Sequence, residues 1–305
     1  MGSFRELELS DKPSFDRILA LAQPETSDLT FTNLFMWKHN YGLKVSYLED
    51  LDYWLLLAVP PVPKWKPFFL APIGDWNNLE KLSVVLQRMI EVSRLNRSEM
   101  RIRRIPKQLV EAWQEIDPKL IVKEERYTFD YLYRSEDLIN LAGRKLHSKR
   151  NHWNQFQRKY SWEYQALTPE LAVECLQLRM PWFDLSGALG QDGTDEEKAM
   201  VTVLSNFEVL GLSGGLIRVD GWIQALAVGE QLNANTAVTH IEKANTEFDG
   251  VYIAINQQFT AHRWSEIELI NREEDMGIEG LRKSKLSYQP FKLVEKYCLS
   301  KKGCS

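Results

Sequence analysis

Cysteine is scarce in this sequence, and long apolar runs are missing from it. The 305 residues contain three cysteines, Cys175, Cys298 and Cys304, without C-x-x-C spacing. This odd, widely spaced set argues against a disulfide framework or a zinc site and favours a reducing, cytoplasmic compartment. The longest apolar stretch, residues 54–62, contains two prolines and falls short of the roughly 18 residues that a membrane-spanning helix needs. Any membrane role is therefore expected to be peripheral.

The length of the chain favours two domains, because single cores usually split beyond roughly 250 to 300 residues. The net charge is −4, but the charges are unevenly distributed. Residues 144–159 are basic, whereas residues 273–275 are all acidic. The charge of the whole chain consequently says little about its partners, and the two charged segments say more.

The order of elements is similar in the two halves of the chain. Each half begins with helices, continues with a meander of antiparallel strands and ends with a β-α-β-α-β pattern. Asp220-Gly221 predicts a type I′ hairpin turn, and Thr168 precedes Pro169 as a helix N-cap. The order resembles the acetyltransferase-like GNAT fold present twice. We therefore expect an α+β protein with two tandem GNAT-like domains, each a mixed, mostly antiparallel sheet flanked by helices. The polar break at residues 134–137 predicts domains at 1–137 and 138–305, with the active site in the second.

Three motifs carry a resemblance to a known family. They lie at residues 141–156, 238–245 and 271–290, in that order. Together they resemble the bacterial DUF2156 family, which is similar to the C-terminal domain of phosphatidylglycerol lysyltransferase and more distantly to the Fem peptidoglycan aminoacyltransferases. The resemblance implies a transferase that moves an acyl or aminoacyl group to an amine or hydroxyl acceptor such as a lipid or peptide. Aminoacyl-tRNA is the candidate donor, and direct transfer requires no metal and no bound cofactor.

Acetyl-coenzyme A is the alternative donor. GNAT acetyltransferases hold its pyrophosphate with the backbone amides of a basic, Gly-rich loop at a helix N-terminus. The equivalent residues here, 244–250, contain one glycine, Gly250, and two acids. This composition argues against acetyl-coenzyme A, although Gly250 and the neighbouring Lys243 keep an acetyltransferase open as an alternative.

His240 and Glu242 are candidate catalytic residues. They are two positions apart on a predicted strand, so their side chains are expected on one face. A carboxylate beside an imidazole makes the ring more basic, and the pair would then deprotonate an attacking ammonium group. A purely structural pair is the alternative interpretation.

The charged segment, residues 270–290, provides candidate substrate-binding groups. Asn271, Glu273, Glu274 and Asp275 follow a predicted strand, and the three acids among them repel one another unless a cation joins them. The α-ammonium of an aminoacyl group would supply that cation, as would Arg272 or Arg282. Asp275 would alternatively cap the following helix.

The second half of the charged segment is basic. Arg282 and Lys285 are predicted to bind a phosphate or carboxylate. The resemblance to GNAT enzymes, many of which have a tyrosine near this position, implies that Tyr288 acts as a general acid for the leaving group. The alternatives are a solvated helix face for the cations and simple packing for the tyrosine.

A basic helix is predicted over residues 141–160. Helical spacing places Arg144, His147 and Asn151 on one face, with Lys145, Lys149 and His152 adjoining. Lys145, His147, Arg150 and Asn151 of this helix are the candidate substrate-binding residues. Such a surface would bind tRNA phosphates, an anionic lipid headgroup or coenzyme A, unless it is only a solvated cationic helix. A non-catalytic protein that binds tRNA or another ligand in the same cleft is therefore a further alternative.

Overall fold

The computed structural model describes residues 4–62, 65–189 and 193–301, and the chain forms two compact units. The first unit comprises Met1–Phe129 and Val294–Ser305, and the second comprises Asp130–Leu293. The division differs from the predicted boundary after residue 137 in two places. The second unit begins at Asp130, and the segment from Val294 onward belongs to the first unit.

The first unit contains a seven-stranded sheet with helices around it. Its strands are β1 (Arg5–Glu6), β2 (Leu43–Leu48), β3 (Tyr53–Ala58), β4 (Phe68–Phe69), β5 (Arg101–Pro106) and β6 (Ile121–Glu124). Its helices are α1 (Lys12–Ala22), α2 (Phe31–Met36), α3 (Lys38–Tyr41), α4 (Leu79–Leu95) and α5 (Lys107–Ile116). Strands β1 to β4 pair in sequence order and antiparallel, and β4 pairs with β5 in parallel.

The second unit contains another seven-stranded sheet and a two-stranded one. Its strands are β7 (Asp130–Arg134), β8 (Trp162–Ala166), β9 (Arg179–Met180), β10 (Phe183–Asp184), β11 (Ser213–Val219), β12 (Trp222–Gln231), β13 (Thr236–Ala244), β14 (Leu269–Asn271) and β15 (Lys292–Val294). Its helices are α6 (Ser135–Asn140), α7 (His147–Lys159), α8 (Pro169–Gln177), α9 (Ser186–Leu189), α10 (Asp195–Ser205), α11 (Val251–Arg263) and α12 (Glu279–Ser287). The large sheet has the order β15-β7-β14-β13-β12-β11-β8, with β13 and β14 parallel.

The last strand, β16 (Lys296–Ser300), belongs to the sheet of the first unit. It lies between β5 and β6 and is antiparallel to both. Both large sheets are therefore mixed and mostly antiparallel, which confirms the expected α+β class.

Local sequence signals explain several element ends. At the β11–β12 hairpin, Asp220 and Gly221 have φ angles of 50° and 82°, as the predicted type I′ turn requires. The Thr168 hydroxyl accepts a hydrogen bond from the Leu171 amide and caps α8. At the start of α10, the Thr194 and Glu197 side chains form a capping box.

The core of the second unit is built around α11. Small residues on β12 and β13, Ala225, Ala227 and Ala237, lie in the same buried cluster as Ile255 and Phe259 of α11. Small side chains on the sheet let the helix backbone approach closely, and the larger helix residues fill the remaining space. This packing fixes α11 against β13, the strand that carries His240 and Glu242.

The cysteines only partly follow the expectation. Cys175 is a buried free thiol. Cys298 is disulfide-bonded, although the number and spacing of the cysteines argue against a disulfide framework. Cys304 lies outside the described residues.

No described helix combines the length and the apolar character that crossing a membrane would require.

Candidate active site

A β-bulge on β13 determines where the two predicted catalytic side chains point. Val228 of β12 pairs with Ile241, and the next residue, Gly229, pairs with Thr239, so His240 is an extra residue on β13. Glu242 pairs with Ala227, which faces α11.

His240 contacts Glu230, which is three positions from Ala227 and thus on the opposite face of β12. His240 and Glu242 therefore project from opposite faces, and the predicted pairing of the two is wrong.

His240 is held between two carboxylates. Its Nδ1 lies 2.8 Å from Glu273 and its Nε2 lies 2.9 Å from Glu230, and the imidazole is fully buried. Burial alone would lower the pKa of His240, but the hydrogen bonds and charges of the two glutamates outweigh burial and raise the pKa to about 9. With this pKa the ring is an imidazolium at neutral pH, and an imidazolium donates through both of its nitrogens. In this arrangement it has no free position with which to accept a proton.

Glu242 forms a different ion pair on the α11 face. Its carboxylate accepts hydrogen bonds from Arg272 at 2.7 Å and from the Asn256 amide at 3.2 Å. The Arg272 guanidinium lies 4.7 Å from the centre of the Tyr288 ring, and the Lys149 ammonium lies 4.2 Å from it. Lys149, Glu242, Arg272 and Tyr288 are called the Arg272 cluster below.

The Arg272 cluster carries more positive than negative charge in a buried setting. Two cations face the single carboxylate of Glu242, and the side chains of Arg272 and Glu242 are only 13% and 14% exposed. Burial lowers the pKa of Lys149, and the positive charge of Arg272 adds a smaller effect in the same direction. Burial also raises the pKa of Tyr288 to about 12, so its hydroxyl stays protonated at neutral pH. Among the described residues, Arg272 Nη1 has no hydrogen-bond partner although it is buried.

Lys285 organises the backbone beside this cluster. Its ammonium donates to the carbonyl oxygens of Arg272, of Glu273 at 3.0 Å and of Glu274 at 2.7 Å. Glu273 has a φ of 55°, a left-handed conformation that is unusual for a residue with a side chain. The pKa of Lys285 is lowered to about 8, mainly by burial and to a smaller extent by repulsion from Arg272. Lys285 therefore holds a strained turn from the inside, instead of lying on a solvated helix face.

Asp275 is the centre of a third polar group. It is fully buried and accepts two hydrogen bonds from Arg282, at 2.8 and 2.9 Å, and one from Tyr131 at 2.6 Å. The Gly277 amide donates to it as well, at 2.8 Å. Burial would raise the pKa of Asp275, but these donors lower it to about 2.

Asn271 is buried nearby and donates to Asp130 at 3.0 Å. Internal pairing, one of the two interpretations of the acidic segment, thus describes Asp275 and Arg282. Substrate binding by Asn271, Glu274, Asp275 and Arg282 stays a prediction.

The predicted basic helix is shorter than expected and has two different sides. It begins at His147 instead of residue 141, so Lys145 lies in the preceding turn. Arg150 donates to the carbonyl oxygens of Leu141 at 2.6 Å and Gly143 at 3.2 Å, and it thereby holds that turn. His147 and Asn151 are exposed and lie 3.4 Å apart. Lys243, on β13, forms an ion pair with Glu196 at 2.8 Å.

The sequence did not single out every residue that the structure brings together. Glu230 and Lys149 were not predicted as site residues, and Arg272 was expected only as an ion-pair partner. Glu230 is ten positions from His240, across a hairpin, and no local pattern indicates the contact. Lys149 was hidden among the other cations of its helix, although it is the one that reaches Tyr288.

Comparison with known proteins identifies the family. The family model described as phosphatidylglycerol lysyltransferase, C-terminal, matches residues 19–300, which is most of the chain. The chain belongs to this family. The predicted resemblance is thereby confirmed.

Solved structures share the fold over most of the chain. A conserved protein of unknown function from Bacteroides thetaiotaomicron is 34% identical, with a TM-score of 0.86, and 98% of this chain and 99% of that chain are covered. The C-terminal domain (DUF2156) of a putative lysylphosphatidylglycerol synthetase from Agrobacterium fabrum is 13% identical, with a TM-score of 0.63 and coverage of 97% and 93%. A tandem GNAT protein from the clavulanic acid biosynthesis pathway is 10% identical, with a TM-score of 0.51, and both chains are covered fully. The tandem GNAT-like architecture is therefore confirmed.

A curated relative matches over a shorter stretch. An uncharacterized protein from Mycoplasmoides gallisepticum is 23% identical over 177 residues, which are 55% of this chain and 54% of that protein. The match thus spans about half the length of that protein.

Proposed function

We propose that the chain is an acyltransferase that moves an aminoacyl group from an aminoacyl-tRNA to an amine or hydroxyl acceptor, such as a lipid or a peptide. The reaction would take place at the Arg272 cluster of the second unit. The observation that carries the proposal is the buried Nη1 of Arg272, which has no hydrogen-bond partner among the described residues and lies in the cluster that also contains the Tyr288 ring.

The charge of the cluster suits the transition state of acyl transfer. When a nucleophile attacks an ester carbonyl, the carbonyl oxygen becomes negatively charged. A preorganised donor in a buried site stabilises that oxygen more strongly than water does, and removing one such donor typically costs about 10²- to 10³-fold in rate. Arg272, already oriented by its bond to Glu242, would provide the donor. Lys149 would add a second positive charge.

The remaining step is the movement of one proton. The new bond forms between the nucleophile and the acyl carbon, and the ester bond to the ribose oxygen of the tRNA breaks. Tyr288, whose hydroxyl is protonated at neutral pH, would give its proton to the departing oxygen and recover one from the nucleophile. The same step would serve an amine or a hydroxyl acceptor. His240 has no part in it, because both of its nitrogens are engaged.

The start of α11 argues against acetyl-coenzyme A as the donor. A Cβ atom at Gly250 would lie 2.9 Å from the backbone carbonyl of His152 on α7, so α7 approaches this helix end closely. The Asn245 side chain already accepts from the Glu247 amide, and Asp249 is exposed at the same turn. A carbonyl oxygen and a carboxylate at this end of the helix oppose the binding of a pyrophosphate.

The test is transfer of a labelled aminoacyl group from a charged tRNA pool to acceptors offered in parallel: phosphatidylglycerol vesicles, a peptide amine and a small hydroxyl compound. Tyr288→Phe should lower the transfer rate about 100-fold, the loss typical for a general acid. Tyr164→Phe is the matched control, since burial also raises the pKa of Tyr164 to about 12, but this half-buried tyrosine lies elsewhere, stacked on His262.

Three other outcomes would count against the proposal. Transfer from acetyl-coenzyme A alone would identify an N-acetyltransferase. Binding of charged tRNA without any turnover would identify a non-catalytic binding protein. Equal loss of activity in Tyr288→Phe and Tyr164→Phe would remove Tyr288 from the mechanism.

A further inference from the structure

The segment around α7 has charges of one sign only. Residues 138–162 contain six lysines and arginines and two histidines but no aspartate or glutamate, in a chain whose net charge is −4. Among the described residues, Arg144, Lys145 and Arg158 are exposed and form no ion pair. On the exposed side, the ion pair that the described residues show is Lys159 with Asp249, at 3.4 Å, and both of these side chains are largely exposed. The positive charge is therefore available to an external anion.

The two sides of α7 are chemically distinct. Its inner side packs through Trp153 and Phe156, which stack on each other at 6.0 Å between ring centres. Its outer side carries exposed amides that donate and accept hydrogen bonds, at Asn151, Asn154, Gln155 and Gln157. All of α7 lies in the described part of the chain, and it exposes no large apolar side chain. A helix that binds in a membrane interface exposes apolar residues, so the composition favours RNA over a lipid surface.

We infer that the exposed side of α7, together with the turn at residues 143–146, binds the phosphates of the RNA that carries the acyl group. The inference rests on the proposed function, because it gives the donor a binding surface next to the reaction site. At thirteen residues, α7 is about 20 Å long, enough to contact several phosphates of one strand.

The same helix connects this surface to the reaction site. Lys149 points away from the exposed side and lies 4.2 Å from the Tyr288 ring in the Arg272 cluster. An RNA end that passes the first turns of α7 is thus brought next to Lys149. Arg150 takes no part in RNA binding, because its guanidinium is used to hold the turn at Leu141 and Gly143.

The inference is tested by direct binding of an uncharged transfer RNA transcript to the full-length protein, followed over a series of salt concentrations. Each phosphate contact contributes a slope of roughly −0.7 to −0.9 to the dependence of log K on log salt. Lys145→Gln/Arg158→Gln should therefore reduce the slope by about 1.4 to 1.8 and weaken binding by tenfold or more at low salt.

The matched control is Arg94→Gln/Lys119→Gln, which removes the same two charge types from exposed positions of the first unit. This control should bind like the wild type. An equal loss in both variants would indicate diffuse attraction and overturn the inference. Binding to phosphatidylglycerol vesicles but not to RNA would overturn it in favour of a membrane surface.

The two proposals fail in different ways. If the inference is wrong but the proposed function is right, Lys145→Gln/Arg158→Gln will transfer the aminoacyl group from charged tRNA with an unchanged KM. If the inference is right, that variant will show a raised KM for charged tRNA with an unchanged kcat at saturation. If only the proposed function is wrong, the transcript will still bind and the variant will still weaken it, without any turnover.

Discussion

His240 and Glu242 are separated by one residue on β13, yet they belong to two different ionic groups on opposite faces of the sheet. The bulge at His240 produces this separation. The bulge places His240 between Glu230 and Glu273, so the imidazolium forms hydrogen bonds with two partly buried carboxylates. Glu242 lies on the α11 face, where its carboxylate forms an ion pair with Arg272. The structural and the proposed catalytic roles of the strand are thus assigned to neighbouring residues.

The stability contributed by His240 should depend on pH. Its folded pKa of about 9 lies above the usual value of 6.5, so its contribution is fully present below pH 6.5 and is lost as the pH rises through 9. A shift of this size corresponds to about 3 kcal/mol. We expect the difference in unfolding free energy between the wild type and His240→Gln to be large at pH 6 and to shrink toward pH 10, as measured by urea denaturation. His262→Gln, which removes an exposed histidine, is the control variant.

Removing the Glu242 carboxylate should expose repulsion within the Arg272 cluster. Glu242→Gln is expected to cost about 3 kcal/mol, because it leaves buried Arg272 without its carboxylate and beside Lys149. Adding Lys149→Met should recover about 1 kcal/mol, since one of the two like charges is then gone. A double-mutant cycle by chemical denaturation measures this coupling. Strict additivity of the two changes would mean that Glu242 and Lys149 are not coupled.

Asp275 should contribute more to the stability of the fold than its partner Arg282. Asp275→Asn is expected to lower the free energy of unfolding by about 3 kcal/mol. The donors from Arg282, Tyr131 and Gly277 would then face a buried neutral amide instead of a carboxylate. Arg282→Gln should cost about half as much, since its side chain is 36% exposed and two donors to Asp275 remain.

The pKa of Asp275, about 2, lies below the usual 3.8. Its stabilising effect should therefore be complete above about pH 4 and disappear toward pH 2. Unfolding of the wild type and of Asp275→Asn between these pH values tests this, and a difference that stays constant would contradict it.

Gly250 should be more sensitive to substitution than Gly221. Both have positive φ angles, 88° and 82°, so an added side chain is strained at either position. A Cβ atom at Gly250 would also lie 2.9 Å from the His152 carbonyl, whereas at Gly221 nothing lies within 4 Å. We expect Gly221→Ala to cost about 1 kcal/mol and Gly250→Ala about 2 to 3 kcal/mol. Thermal unfolding of the two variants gives the comparison, and equal losses would show that α7 gives way at this contact.

The features that were predictable from the sequence are those with a local cause. The hairpin at Asp220 and Gly221 and the capped start of α8 at Thr168 follow from residues close together in the chain. The family followed from three ordered motifs. The alternation of side chains along β13 predicts the wrong face of the sheet for His240. The bulge depends on the pairing with β12 and cannot be recognised in the sequence of β13 alone.

Long-range pairing also explains what was missed in the candidate site. Glu230, His240 and Glu273 come from three separate elements, and Lys149 reaches Tyr288 across 139 positions of the sequence. The charged segment was correctly recognised as polar and turn-rich, but whether its acids face a ligand or internal partners is decided by tertiary contacts. Asp275 meets Tyr131 and Arg282 only after the chain has folded.

The position of β16 has a consequence for the order of folding. The sheet of the first unit requires Lys296–Ser300 between β5 and β6, whereas β15, the last strand in the large sheet of the second unit, ends at Val294. During translation, the sheet of the first unit therefore cannot be completed until β16 has been synthesised, almost two hundred residues after β5. Until then, the edges of β5 and β6 that pair with β16 are open. The second unit begins later in the chain, but all of its strands are synthesised before β16. Separate expression of residues 1–137 would leave the same gap in the sheet, so that fragment is expected to aggregate through the open edges.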